Sequence, residues 1–264
     1  MDDDLRNGLW NVCQIHVLTD LAAKKYYLAG NKQVLALCQW LWFDFFKEPI
    51  DEIPHTSRDA FERIKKFYMQ CSWSEAYDFV EFLAGTLEGQ ALADFTSTCN
   101  GLLQMECSGY RFIGEQLALI TNKEELAEVQ AALDLPDCFS PIRRHLATAI
   151  TFFSDRKNPD YRNSIKESIS AVEAMCKIVA GDEKDSFKQA LKKLEEKGIS
   201  LHSAVKNSFS SLYGYTSDAD GIRHALLEES TLDFDDAKFI LVSCSGFVNY
   251  LAAKASKAGV IQTA

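Results

Sequence analysis

The residues of this chain best suited to chemistry stand in one stretch, Ser217-Asp218-Ala219-Asp220-Gly221-Ile222-Arg223-His224-Ala225-Leu226-Leu227-Glu228-Glu229, where an arginine and a histidine follow a turn. Arginine grips a phosphate through a flat fork of N–H donors, and histidine changes protonation near neutral pH. Three readings of Arg223 and His224 stand. They form a diverged nuclease pair, completed by Arg162, Asn163 or Glu167 from the neighbouring helix. They hold RNA or nucleotide phosphate without cleavage, or belong to a partner-binding module. Or they are structural, Arg223 pairing with Glu228, Asp220 or Asp236 and His224 buried as a hydrogen-bonding residue. Glu167 and Glu173, six residues apart, read as the edge of a solvated helix rather than as an acid-base pair.

Other chemical patterns are absent. The sequence has no GxxxxGK[ST], no GxGxxG, no HExxH and no GxSxG, so no nucleotide cofactor and no metal are implied. The eight cysteines are scattered, with no CxxC pair or zinc spacing, and read as reduced core residues. His16 reads as a helix-face residue and His55, between Pro54 and Thr56, as a loop residue. Lys184, Lys188, Lys192, Lys193 and Lys197 offer one basic helix face, diluted by Asp185, Glu195 and Glu196, and the plainer reading is a solvated face.

The elements that must position these residues are mostly helical. At 264 residues the chain is long enough for two domains. Its net charge of -10 is uneven: 14 Lys and Arg against 23 Asp and Glu up to Arg156, then 14 against 15. A nucleic-acid site would therefore be local and in the second half. No run approaches the 18 or more consecutive apolar residues of a membrane span, and the start Met1-Asp2-Asp3-Asp4 is acidic, so a cytoplasmic protein is expected.

Asp3 or Asp4 is expected to cap a first helix. The run from Val34 to Phe46 is too apolar for a surface helix, so it is buried or holds another helix. Helices follow over Ser57–Tyr68, from Ser72 and over Ala91–Met105. Tyr110–Ile113 and Leu117–Ile120 form a hairpin about a Gly114-Glu115 turn, which should lie on neighbouring helices. Thr121 to Glu124 reads as a capping box, and Pro141 as a helix start. Ile165, Ile169, Val172, Cys176 and Val179 make a core stripe on a helix from Tyr161 to Val179. Ser186–Lys197, His202–Leu212 and Phe234–Ala253 complete the helices. A Tyr213-Gly214-Tyr215 turn precedes the last of them, which is capped by Asp233 and expected at the centre of its domain.

Several of these stretches resemble one family. Arg156 to Ser168, Leu212 to Thr216 and Gly221-Ile222-Arg223-His224-Ala225-Leu226 look like the C-terminal HEPN-type helical domain of AbiJ-like bacterial abortive-infection proteins. Met1 to Arg6, Trp42 to Phe46, Pro49 to Pro54 and the Tyr110-Arg111-Phe112 strand resemble the N-terminal domain paired with it. The likeness covers essentially the whole chain; such proteins usually carry a short leader before the Asp-rich start, so this chain is expected to begin late. The resemblance implies a mostly α, two-domain protein: residues 1–139 an AbiJ-type domain with a small β-hairpin, residues 140–264 a HEPN-like helical bundle.

It also implies a homodimer, a possible regulatory protein partner, and metal-independent endoribonuclease activity in antiphage defence, with RNA as substrate or ligand. The alternative it leaves is a non-catalytic RNA- or protein-binding module of a defence or toxin-antitoxin system. Active HEPN-type domains carry an arginine, four to six residues, then a histidine. Here Arg223 and His224 are adjacent, about 100° apart on a helix, and Glu167 stands five residues beyond Arg162.

Overall fold

The computed structural model describes residues 1–23, 26–182, 184–217 and 232–261, and the chain divides into two compact units, Met1–Leu119 and Ile120–Ala264. Among the described residues it is mostly α, with one two-stranded hairpin.

The first unit holds α1 (Asp3–His16), α2 (Thr19–Ala23), α3 (Lys32–Trp40), α4 (Ser57–Gln70), α5 (Trp73–Ala84) and α6 (Gly89–Met105), then strands β1 (Arg111–Ile113) and β2 (Gln116–Ala118). The cap of α1 is Asp2, which accepts from Leu5 N–H at 2.9 Å, rather than Asp3 or Asp4; those two lie inside the first turn, where a carboxylate still favours the helix dipole. Ser72 and Glu75 form the capping box of α5. Aromatic rings fill the core: Trp10 lies 5.4 Å from Tyr68, and Phe45 meets Phe46, Phe67, Phe79 and Phe82 at 5.3 to 5.6 Å between centroids.

The Val34–Phe46 run is only half buried. Helix α3 widens into a π-helical turn over Leu41–Phe46, which buries Leu41 and Trp42 and leaves Trp40 and Phe43 53% and 62% exposed. The hairpin pairs Arg111 with Ala118 and turns at Gly114, whose φ of 57° suits a residue without Cβ. It does lie on helices: Asn100 of α6 clasps Phe112, accepting from its N–H at 2.7 Å and donating to its carbonyl at 3.1 Å, while Glu81 of α5 accepts from Leu117 N–H at 2.6 Å.

The second unit holds α7 (Lys123–Leu133), α8 (Ser140–Ser154), α9 (Tyr161–Ala180), α10 (Phe187–Glu196), α11 (Ser203–Ser217) and α12 (Phe234–Lys257). The cap of α7 is Asn122, not Thr121: its side chain accepts from the N–H groups of Glu124 and Glu125, two free donors held by one oxygen. The stripe of α9 is buried at all five expected positions, and α8, α10, α11 and α12 pack on it. It ends at Gly181, φ 76°, where an added Cβ would lie 2.8 Å from Lys197 Nζ.

Tyr213, Gly214 and Tyr215 do not make a turn; they continue α11, and Tyr213 stacks on Phe187 at 4.8 Å, a contact that outweighs the roughly 1 kcal/mol a helical glycine costs. Helix α12, with Asp233 in a capping box, packs on α7, α8 and α9, tied by Lys238 to Glu125 at 2.9 Å and by Asn249 to the Glu128 carbonyl at 2.9 Å. By length and composition it is the one described helix that could cross a membrane, yet half its apolar window is buried in this unit, as a core helix requires. Phe239, 64% exposed, shows that its burial is one-sided.

Cys13, Cys38, Cys99, Cys176 and Cys244 are buried, and burial pushes the thiols of Cys38, Cys99 and Cys176 up to about 12. Cys107 and Cys138 are exposed. Maleimide treatment near neutral pH is expected to modify those two first in the native chain, then more slowly the half-buried Cys71, whose thiol burial pushes up, and the five buried thiols only after denaturant is added, as counted by intact mass.

Candidate functional site

The junction of α8 and α9 builds the polar face on which three of the predicted site residues stand. Asp155 opens the loop, its carboxylate accepting from the N–H groups of Lys157 and Asn158 at 2.8 and 2.9 Å. Asp160 closes it, donating its own N–H to the Phe152 carbonyl at 3.0 Å and capping α9 through Asn163 N–H at 2.9 Å. The Asn163 amide adds a donation to Asp160 Oδ2 at 2.7 Å, so its side chain is committed to the cap.

This lock sets the register of the two helices. His145 lies seven residues before Phe152 and Glu167 seven after Asp160, about two helical turns out on each side, and they meet: His145 Nδ1 to Glu167 Oε2 is 2.7 Å. A carboxylate only accepts, so beside ionised Glu167 it is Nδ1 that carries a proton, and in the neutral form of the ring Nε2 is then the acceptor. Glu167 is 16% exposed and His145 38%, so the carboxylate lies sheltered beneath a reachable imidazole. Lys166 Nζ stands 3.6 Å from the other Glu167 oxygen. Asp160, Asn163 and Glu167, spaced by three and four residues, share one edge of α9, while Arg162, half-exposed, lies on the neighbouring edge.

Arg223 and His224 lie outside the described residues. The chain that carries them rejoins the described structure at Leu232, and two residues later Phe234 stacks on Phe153 at 5.0 Å and meets Tyr161 at 6.3 Å, beside Arg162 and Asn163. Glu173 bonds to Lys177 at 2.9 Å along α9 and is not drawn to Glu167. Of the lysines read as one basic face, Lys193 turns inward to Asp182 and to the buried Asp185 at 2.8 Å, and Lys197 donates to the Val179 carbonyl, leaving the exposed Lys184, Lys188 and Lys192. His145 escaped the sequence reading. Its signal is the tight Asp155 to Asp160 loop, which pairs residues equidistant from the turn.

Among the described residues no group of three or more His, Cys, Asp or Glu could hold a metal ion. A cavity of about 670 Å³ opens in the first unit instead, and none of the predicted site residues lines it. Compared with known protein families, residues 1–135 match the one described as AbiJ N-terminal domain 4. No curated protein and no solved structure matches the chain.

The Asp155 carboxyl is held below the ordinary range, first by the Asn158 N–H and then by that of Lys157. A group whose folded pKa is depressed stabilises the fold above its unfolded value of about 4 and loses that contribution as pH falls through the folded value. Asp155→Asn is therefore expected to lower the urea midpoint near pH 7, and the difference from wild type is expected to shrink as pH falls below about 4 and to vanish below the folded value.

Proposed function

The chain belongs to the AbiJ N-terminal domain 4 family, which makes it a defence-associated protein of the abortive-infection kind, and on that premise we propose that its second unit is a HEPN-type helical domain that cleaves RNA without a metal. The observation that supports this reading is the His145–Glu167 pair, about one turn along α9 from Asn163 and Arg162, which lie at the end of the bundle where the chain following Arg223 and His224 enters α12.

The chemistry is internal transesterification. The ribose 2′-hydroxyl gives its proton to a neutral imidazole nitrogen and its oxygen attacks phosphorus. The bond to the 5′-oxygen breaks, and that oxygen leaves with a proton from the second histidine or from water. His145 Nε2, held by Glu167, is suited to the first proton, and His224 to the second. Arg223 and Arg162 would stabilise charge developing on the phosphoryl oxygens. A homodimer, with its two clefts side by side, belongs to the same proposal.

The adjacency of Arg223 and His224 favours a second reading, phosphate holding without cleavage, because neighbours on a helix point about 100° apart. The two part in one experiment, in which purified protein with excess chelator is incubated with total RNA and products are resolved on a gel. Wild type is expected to give discrete fragments, and Arg223→Ala/His224→Ala none. His145→Gln should slow cleavage by about 10²-fold or more, and Glu167→Gln by about tenfold, with melting temperatures little changed. Intact RNA with wild type removes the nuclease and leaves the binding reading, which a gel shift then tests.

A further inference from the structure

We propose that the first unit carries a docking groove for an arginine-bearing segment of a partner protein. The inference goes beyond the RNA reading and does not rest on it.

The groove, about 670 Å³, is walled by the end of α3 and the π-helical turn after it, by α5, and by the hairpin turn, all within the first unit. It opens broadly to solvent, as a groove for an extended segment must. Three aromatic side chains, Trp40, Phe45 and Phe82, share the lining with four carboxylates, Asp44, Asp78, Glu81 and Glu115, and no lysine, arginine or histidine lines it. Among the described residues neither Asp44 nor Glu115 makes an ion pair.

The π-helical turn makes this wall. One extra residue per turn rotates the following side chains, so Trp42 goes to the core, Phe45 joins the aromatic cluster, and Trp40 and Asp44 stay at the surface. The opposite wall is fixed as firmly. Glu81 is held by the Leu117 N–H, and this bond brings the hairpin turn, with Glu115, over the end of α5 at Gly85, where an added Cβ would lie 3.9 Å from Glu115 Oε2.

Charge and shape together name the occupant. Four carboxylates with no cation among the lining residues would repel an anionic ligand such as RNA, on a unit that has ten Lys and Arg against seventeen Asp and Glu. A guanidinium stacks its flat face on an aromatic ring while its N–H fork meets a carboxylate, which uses both kinds of lining. An ammonium, compact and strongly hydrated, would use the carboxylates alone. A peptide also brings apolar neighbours to cover the rings, which a free polyamine lacks.

The test uses the full chain at physiological salt and a fluorescein-labelled nonapeptide with arginine at alternate positions, beside its lysine and glutamate counterparts and spermine as competitors. Saturable binding of the arginine peptide is expected, weakened about tenfold or more by Asp44→Asn/Glu115→Gln and by Trp40→Ala, and less than about twofold by Asp51→Asn/Glu52→Gln, an equal charge change elsewhere on the unit. Melting curves accompany each variant. Were Trp40→Ala to unfold, the exposed Asp44 and Glu115 pair decides alone. No saturable binding would overturn the proposal. So would equal affinity for the lysine peptide or spermine, which marks a polyamine site or a diffuse field, and so would an equal loss in the Asp51 and Glu52 variant.

Discussion

One backbone hydrogen bond, from the Asp160 N–H to the Phe152 carbonyl, fixes the second unit's register. Helices α8 and α9 bury apolar stripes against each other, and a stripe alone tolerates sliding by a turn, because Ile and Leu recur every three or four residues along it. The short bond at the loop removes that freedom. Asp155 and Asp160 reinforce it from both ends, each holding N–H groups that the turn would otherwise leave without acceptors. With register set, His145 has one possible neighbour on α9, Glu167, and α12 meets a single surface, where Phe234 fits between Phe153 and Tyr161.

The first unit solves the corresponding problem with side chains. A two-stranded hairpin buries too little to stand alone. Asn100 and Glu81 supply what the ladder lacks, using an amide and a carboxylate from two helices to satisfy the outward backbone groups of Phe112 and Leu117. A polar residue on each helix is thereby spent on architecture. The same Glu81 also lines the groove, so holding the hairpin and shaping the groove are one arrangement.

How much of this could be read in the sequence follows the range of the interaction concerned. The buried stripe of α9, the Asp233 cap and the hairpin turn are local patterns, and they stand where periodicity and turn residues put them; of Ser72 and Ser74, either of which could cap α5, Ser72 does, and the second strand is Gln116–Ala118 rather than Leu117–Ile120. The misreadings at Asp2 and Asn122 are shifts of one or two residues among neighbouring cap formers of nearly equal strength. The Tyr213-Gly214-Tyr215 reading failed because a glycine between tyrosines has local turn propensity, while the deciding contact, Phe187 on Tyr213, comes from another helix. Of the candidate site, Arg162, Asn163 and Glu167 could be singled out in the sequence, but His145 depends on register between two helices, and so does its pairing with Glu167. The π-helical turn has no periodic signature at all, since its aromatic residues fit either winding.

The charge distribution constrains how RNA could be bound if the second unit binds it. That unit has eighteen Lys and Arg against twenty-one Asp and Glu, and several of its cations are already engaged: Lys193 by Asp182 and Asp185, Lys177 by Glu173, Lys206 by Glu195. Charges farther than about 8 Å are screened at physiological salt, so the net acidity of the chain matters little at the α8–α9 edge, and what counts is the few cations near it. Those are Arg144 beside His145, Arg156 and Lys157 in the loop between the helices, and Arg162 and Lys166 on α9. So small a set cannot track a duplex backbone, where affinity comes from many phosphate contacts. It suits a splayed single strand or loop, held at one or two phosphates and by ring stacking, and it makes the position of a single scissile phosphate against His145 the feature on which selectivity would turn.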